Sequence, residues 1–224
     1  MPNKLGSRQV LCTDAVGWLQ NYTDPGGVSF LGSLPDISEF PGLSLSQWKE
    51  WFQKTAELIL EKTSPEGVSI FFQSDIKLEG LWVDKAYLIQ KSAEKMGHHL
   101  LWHKIFCRAP AGTVMFGRPS YSHMICFSKT VIPDISKSTA DVIPDLGDKT
   151  WIRGMGLEAS LVAAHFVMKH TTTRTLINPF CGEGSVLAAA NFVGLDSIGI
   201  ERSQKRASKA MELSVAPNGK GWMN

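Results

Sequence analysis

Toward the C-terminal end of the chain, glycine, acidic and hydroxyl side chains recur at a spacing that can hold a nucleoside. Asn178-Pro179-Phe180-Cys181-Gly182-Glu183-Gly184-Ser185 separates the apolar run Thr175-Leu176-Ile177 from Val186-Leu187-Ala188-Ala189-Ala190. Gly182 and Gly184 let the backbone approach a ligand where a Cβ would clash. A third apolar run, Ser197-Ile198-Gly199-Ile200, ends on Glu201. That carboxylate follows the turn by roughly 20 residues, the separation at which a strand-ending acid accepts hydrogen bonds from ribose hydroxyls. The order is strand, turn, helix, strand, acid, which is nucleoside-cofactor chemistry. Such a unit normally opens a nucleotide-binding domain, and here it comes late.

The turn excludes two common cofactor classes. A dinucleotide turn reads G-x-G-x-x-G and seats a pyrophosphate on a helix N-terminus. Here there is no third glycine, and Glu183 between the two would repel a diphosphate. A P-loop fails because no Gly-Lys-Ser/Thr follows. A sulfonium cofactor with an amino-acid tail and no phosphate suits the turn better. An ordinary strand-to-helix turn is the bland competitor.

Asn178 to Ser185 resembles the Asp-Pro-Phe-Cys-Gly-Ser-Gly-Thr motif of S-adenosylmethionine-dependent methyltransferases. It is most similar to the circularly permuted amino-methyltransferases that modify adenine N6 or cytosine N4. The first position is Asn178 and not Asp, which removes one charge. The resemblance implies S-adenosyl-L-methionine as cofactor, held by Asn178, Pro179, Phe180, Cys181, Gly182, Glu183, Gly184, Ser185 and Glu201. It also implies a catalytic motif early in the chain. Thr13-Asp14-Ala15-Val16-Gly17-Trp18-Leu19 resembles the family's Gly-Asp-x-x-x-x-Leu segment, which places Asp14 near the cofactor adenine. Capping of the helix that follows is the alternative for Asp14.

The family's Asp/Ser-Pro-Pro-Tyr motif falls on Ser33-Leu34-Pro35-Asp36. In the family, the first side chain and a backbone carbonyl grip an exocyclic amine, the prolines stiffen the turn, and the tyrosine stacks on the flipped base. Ser33 retains the oxygen and Pro35 some stiffness, so Ser33, Pro35 and Asp36 are the implied catalytic residues. Leu34 replaces a proline and Asp36 replaces the aromatic, so stacking falls to Phe40 or another ring. Two readings of Asp36 stand: an acceptor or general base at the site, or a cap on the helix beyond it.

The elements that must position these residues alternate along the chain. Val28 to Gly32 is an apolar strand ending at Ser33. Ser44 to Lys62 carries Trp48, Trp51, Phe52, Leu58 and Ile59 on one helical stripe and stops at Ser64-Pro65-Glu66-Gly67. Val68 to Gln73 is a buried-type strand. Asp84 to Met96 is a helix ended by Gly97. His99 to Phe106 and Ser122 to Lys129 read as strands. Residues 131–150, with two Ile-Pro-Asp units, read as a loop or hinge. Gly156 to Lys169 is a helix leading into the cofactor unit. This pattern predicts an α/β fold with a mostly parallel sheet. The resemblance makes it a Rossmann-like, circularly permuted sheet of seven strands with helices on both faces. Residues 1–224 form one domain in this reading: a catalytic half at about 10–130, a linker at about 131–150 and a cofactor half at about 151–212.

Polar residues outside the motifs have open roles. Asp75 ends a buried strand where ligands gather in such sheets, or caps a loop. Lys77, Trp82 and Lys85 fall in a stretch that reads as a surface loop able to contact phosphate and stack on bases. Arg108, Arg118 and His123 form either a basic rim or cross-strand structure. The implied family hairpin also contains Arg118, His123 and Lys129, and Trp102-His103-Lys104 resembles its Trp-x-Lys strand.

The 224 residues carry a net charge of +2, so composition alone demands no nucleic-acid partner. No apolar run spans a bilayer and no signal core opens the chain, which predicts an intracellular protein, cytoplasmic or nuclear, without a membrane partner. The four cysteines are scattered without metal-ligand spacing, so no metal is expected and reduced thiols are. The stretch of about 130–152 is too short for an inserted DNA-recognition domain. The expected acceptor is therefore a nucleobase in RNA, tRNA or rRNA, read by shape. The alternatives are an inactive cofactor-binding subunit that scaffolds a partner, and a DNA amino-methyltransferase whose recognition comes from a protein partner.

Overall fold

A computed structural model describes residues 6–223. In chain order the elements are β1 (Arg8–Leu11), α1 (Ala15–Asn21), β2 (Val28–Gly32), α2 (Leu45–Lys62), β3 (Ser69–Gln73), β4 (Ile76–Leu78), β5 (Leu81–Val83), α3 (Lys85–Lys95), β6 (His99–Cys107), β7 (Tyr121–Ser128), β8 (Val142–Ile143), α4 (Leu157–His170), β9 (Thr175–Asn178), α5 (Ser185–Phe192), β10 (Asp196–Ile200), α6 (Gln204–Glu212), β11 (Ser214–Val215) and β12 (Trp222–Met223). Eight strands form the main sheet in the order β1-β10-β9-β2-β3-β7-β6-β8. Only β7 runs against the others, through antiparallel ladders with β3 and β6. The expected seven strands are joined by an eighth, the two-residue β8 pairing beside β6.

Strict alternation divides the core between the two faces of the sheet. Phe30, Phe71 and Ile177 face one way and pack with Leu19 of α1, Trp48 and Phe52 of α2 and Ile89 of α3. Leu31, Ile70, Phe72 and Leu176 face the other way and pack against Ala159, Ala163 and Val167 of α4 and Ala189 of α5. The apolar stripe of α2 sets its burial. Its start is fixed by a reciprocal capping box between Ser44 and Gln47. Pro65, three residues past its end, keeps it from continuing.

Several short strands were not legible in the local pattern. β1 is an edge strand held by its own arginine: Arg8 Nη1 donates to the Ala210 and Leu213 carbonyls at 2.7 and 2.6 Å, capping the end of α6. The stretch after Asp75, expected as a surface loop, is a β4–β5 hairpin, with Lys77 Nζ 5.0 Å from the Trp82 ring centre. Residues 131–150 hold a single 3-10 turn, Ile135–Lys137, and β8.

β2 and β9 are parallel neighbours whose helical connections leave in opposite directions, β2 through α2 to β3 and β9 through α5 to β10. Such a switch point opens a crevice beyond the carboxyl ends of the two strands. The turn between β9 and α5 requires glycine at position 184, where φ is +91° and a Cβ would lie 2.7 Å from the Ala210 Cα. Gly184→Ala is expected to lower stability by about 2 kcal/mol, measured by urea unfolding. A change within error would show that α6 moves aside freely.

Candidate active site

A cavity of about 630 Å³ occupies the crevice. One wall is formed by Asp14, Pro179, Phe180, Gly182 and Glu201, and the facing wall by Ser33, Pro35, Asp36, Gln73 and Lys85. Two motifs about 145 residues apart in sequence thus meet because β2 and β9 pair in register, Phe30 opposite Ile177. The volume falls within the range of small-molecule and cofactor sites.

On the first wall, Glu201 is 8% exposed. Its Oε1 accepts from Ser203 N at 2.8 Å and from Arg206 Nε and Nη2 at 3.0 and 2.8 Å. Its Oε2 has no hydrogen bond among the described residues. Arg206 also lies 5.3 Å from the Trp151 ring centre, and that ring covers Gly182. Asp14 lines the cavity while capping α1, its Oδ2 accepting from Gly17 N at 2.7 Å. The two readings of Asp14 are therefore compatible, one oxygen capping and the other unspent.

The rest of the glycine turn faces inward. Cys181 packs on Leu187 and Ala210, and burial pushes its thiol up to about 12. Ser185 is buried, and Gly184 abuts Ala210. Glu183 pairs with Lys209 at 2.6 Å, so its charge is turned onto α6. Asn178 accepts from Phe180 N at 3.1 Å through Oδ1 and fills the space a Cβ on Gly32 would need. Of the eight turn residues expected to hold the cofactor, Pro179, Phe180 and Gly182 line the cavity, while the Asn178, Cys181 and Glu183 side chains pack against β2, α5 and α6.

On the facing wall, Ser33 Oγ donates to the Phe72 carbonyl at 2.5 Å, which leaves its lone pairs for a donor in the cavity. The Pro35 carbonyl accepts from Trp48 Nε1 at 3.3 Å. Phe40 lines the cavity and is backed by Trp51, ring centres 4.4 Å apart, so aromatic surface is available in the cavity that Asp36 also lines.

Asp36 is both a cap and part of a charge cluster. It completes a capping box with Glu39. Its Oδ2 accepts from Lys85 Nζ at 2.9 Å and Arg118 Nη2 at 3.0 Å. Burial alone would raise the carboxyl, but the adjacent Lys85 and Arg118 hold it below its ordinary value. A carboxylate so engaged is a weak general base. Lys85 is not in a surface loop: it opens α3 and is 2% exposed, with Asp36 as its ion-pair partner. Its burial has no local sequence signal, because Asp36 lies 49 residues away.

Asp75 and His123 lie behind the site. Asp75 accepts from Lys85 N at 2.9 Å, Trp82 Nε1 at 3.0 Å and His123 Nε2 at 3.0 Å. His123 is bonded in turn to His103 at 2.8 Å. Asp84 comes within reach of the same groups but caps α3. Arg108 and Arg118 do line the cavity, whereas His123 takes the cross-strand alternative, bonded to Asp75 and His103.

No family model and no curated protein matches the chain. Solved structures do. A Thermus thermophilus protein, provisionally described as a DNA modification methylase and complexed with S-adenosyl-L-methionine, is 14% identical with a TM-score of 0.69, over 91% of this chain and 91% of that one. The PvuII DNA methyltransferase, cytosine-N4-specific, is 13% identical with a TM-score of 0.68, over 92% and 86%. The M1.HpyAVI complex with SAM is 14% identical with a TM-score of 0.60, over 91% and 97%. The chain has the Rossmann-like α/β fold of these proteins.

Asp36→Ala leaves the Lys85 ammonium buried without its carboxylate and is expected to cost about 3 kcal/mol in urea unfolding at neutral pH. Adding Lys85→Met should recover most of that loss. Because the folded carboxyl lies below its unfolded value of about 3.9, the contribution is present above that pH and fades as pH falls through the folded value. A loss unchanged down to the acid limit would rule out the ion pair as its source.

Proposed function

We propose that the protein is an S-adenosyl-L-methionine-dependent methyltransferase acting on a nucleobase of a nucleic acid, with the described chain as one catalytic unit. The observation that carries the reading is the shared cavity: a phosphate-free glycine turn with a strand-ending carboxylate faces a Ser-x-Pro-Asp turn across the switch point of the sheet. The residues present fit that cofactor. Glu201 Oε2 is unspent and positioned to accept from ribose hydroxyls, Asp14 is at hand for the adenine side, and Glu183 is neutralised on α6.

When bound, the cofactor supplies an electrophilic methyl on a sulfonium that departs as a neutral thioether. The chain's residues position the acceptor. Ser33 Oγ, its proton committed to Phe72, accepts a hydrogen bond from an acceptor N–H and so aims the nitrogen lone pair. Asp36 acts as a positioning residue through Lys85 and Arg118. Phe40 on Trp51 gives the base a face to pack on. The proton lost from nitrogen passes to solvent through the open cavity.

The similar structures that are named for DNA modification, one of them cytosine-N4-specific, favour an exocyclic amine of a base in DNA over an RNA acceptor. One observation keeps RNA as the second reading. The segment between β7 and α4 contains only a 3-10 turn and a two-residue strand, which supplies no unit for reading a duplex groove. On the DNA reading, recognition comes from a partner subunit.

Isothermal titration with S-adenosyl-L-methionine is expected to show one site, weakened tenfold or more by Glu201→Gln, the effect of losing a charge-assisted hydrogen bond. Tritium transfer from labelled cofactor to total DNA and total RNA then separates the two acceptors. Absence of binding by folded wild-type protein would sink the proposal, and binding without transfer to either polymer would point to an inactive subunit.

A further inference from the structure

Seven basic residues line the cavity, and three of them, Arg108, Arg118 and Lys149, interact with one another without a full complement of carboxylates. Arg108 directly follows β6, Arg118 shortly precedes β7, and Lys149 comes from the segment before α4. Backbone hydrogen bonds anchor the segments next to them. Arg108 N and Ala109 N donate to the Ser120 carbonyl at 2.7 and 3.3 Å, continuing the β6–β7 ladder past its end. The Asp148 carbonyl accepts from Leu157 N at 2.9 Å and Trp222 Nε1 at 3.0 Å, anchoring the segment that presents Lys149.

Their charges are close enough to oppose one another. Burial lowers the Arg108 guanidinium and Arg118 lowers it further. Burial likewise lowers Lys149, and Arg108 and Arg118 add to the effect. The compensation is small. Asp36 shares one oxygen between Lys85 and Arg118. Arg108 has a single long contact, 3.4 Å from Nη1 to the Pro119 carbonyl, and Lys149 has no ion-pair partner among the described residues. A guanidinium carries five donors and an ammonium three, so most of the hydrogen-bonding capacity here is unspent. In the same cavity Gln73, 3% exposed, has a buried side-chain amide nitrogen with no hydrogen bond among the described residues.

We infer that Arg108, Arg118 and Lys149 together receive one phosphate group of the acceptor, with the Gln73 amide facing the base or sugar attached to it. The cluster carries more positive charge than a carboxylate would neutralise, and its two arginines suit the several oxygens of a phosphate. Asp36 holds Arg118 in place before the ligand arrives. The inference rests on the acceptor half of the proposed function and is independent of the cofactor. The phosphate has two candidate sources, a diester within a strand or the terminal group of a free nucleotide.

The test is fluorescence anisotropy of short labelled single-stranded DNA and RNA between about 50 and 200 mM salt, with competition by a nucleoside monophosphate and by the matching nucleoside. Variants are Arg108→Gln with Lys149→Gln, the charge-keeping Arg108→Lys, and Lys91→Gln on the exposed face of α3 as control. For a strand, the double variant is expected to bind roughly tenfold more weakly, with the salt slope reduced by about 0.7 for the lost phosphate contact. Arg108→Lys should retain the slope. If the source is a free nucleotide, the monophosphate binds wild type, the nucleoside does not, and the double variant loses the difference. Equal affinity and slope in the double variant and the control would overturn the inference, as would wild-type protein that binds neither ligand. Titration of the same variants with S-adenosyl-L-methionine keeps the two readings separable: intact cofactor binding with lost strand binding supports this site, and lost cofactor binding alone counts only against the proposed function.

Discussion

The pairing of β2 with β9 is the constraint on which the site depends. It is a short contact, Val28 to Phe30 against Thr175 to Ile177, between segments from opposite ends of the chain. Because one crossover leaves toward β3 and the other toward β10, the carboxyl ends of these strands have no helix packed between them. The crevice follows from topology and not from any side chain. Close approach is also built into the pair, since Gly32 gives Asn178 the room that a Cβ would take. A register slip of one residue would turn Phe30 and Ile177 to the wrong face and carry the two turns out of line.

Within that crevice the two walls differ in electrostatic character. The glycine-turn wall keeps its acids but satisfies them locally: Glu183 on Lys209, Glu201 partly on Arg206, Asp14 partly on the start of α1. The facing wall places a buried ammonium, Lys85, under Asp36 and adds guanidinium groups above it. Burying a charge is costly unless it is paired and hydrogen-bonded. The Asp36 carboxylate therefore has a structural role that the aromatic side chain expected from the resemblance could not fill. Aromatic surface has moved to Phe40 and Trp51, on the turn and helix that follow.

Behind the facing wall, Asp75 links the β4–β5 hairpin, the start of α3 and β7 through three hydrogen bonds. Lys85 belongs to both systems: its backbone N–H goes to Asp75 and its ammonium to Asp36. The position of the facing wall is thereby coupled to a buried polar network rather than to apolar packing alone. A satisfied network of this kind specifies geometry more narrowly than hydrophobic contact does.

The sequence by itself determined the alternation of strands and helices, the limits of α2, α3 and α4 to within about two residues, the glycine turn and the acid at position 201. Those features are local: period, caps, breakers and the backbone freedom of glycine act over a few residues. Where local signals were weak, the reading stopped short. β1 is a four-residue edge strand that exists because β10 offers it a ladder, and the β4–β5 hairpin consists of two three-residue strands too short to declare a period. The tertiary structure alone decided which side chains of the motif face the cavity, and it set Cys181 and Glu183 against α5 and α6. It also decided that Lys85 is buried against Asp36, and that Arg118, 82 residues away from Asp36, joins the pair. Such pairings depend on strand order and register, which are set by the burial of whole faces and leave no mark in the few residues around each charge.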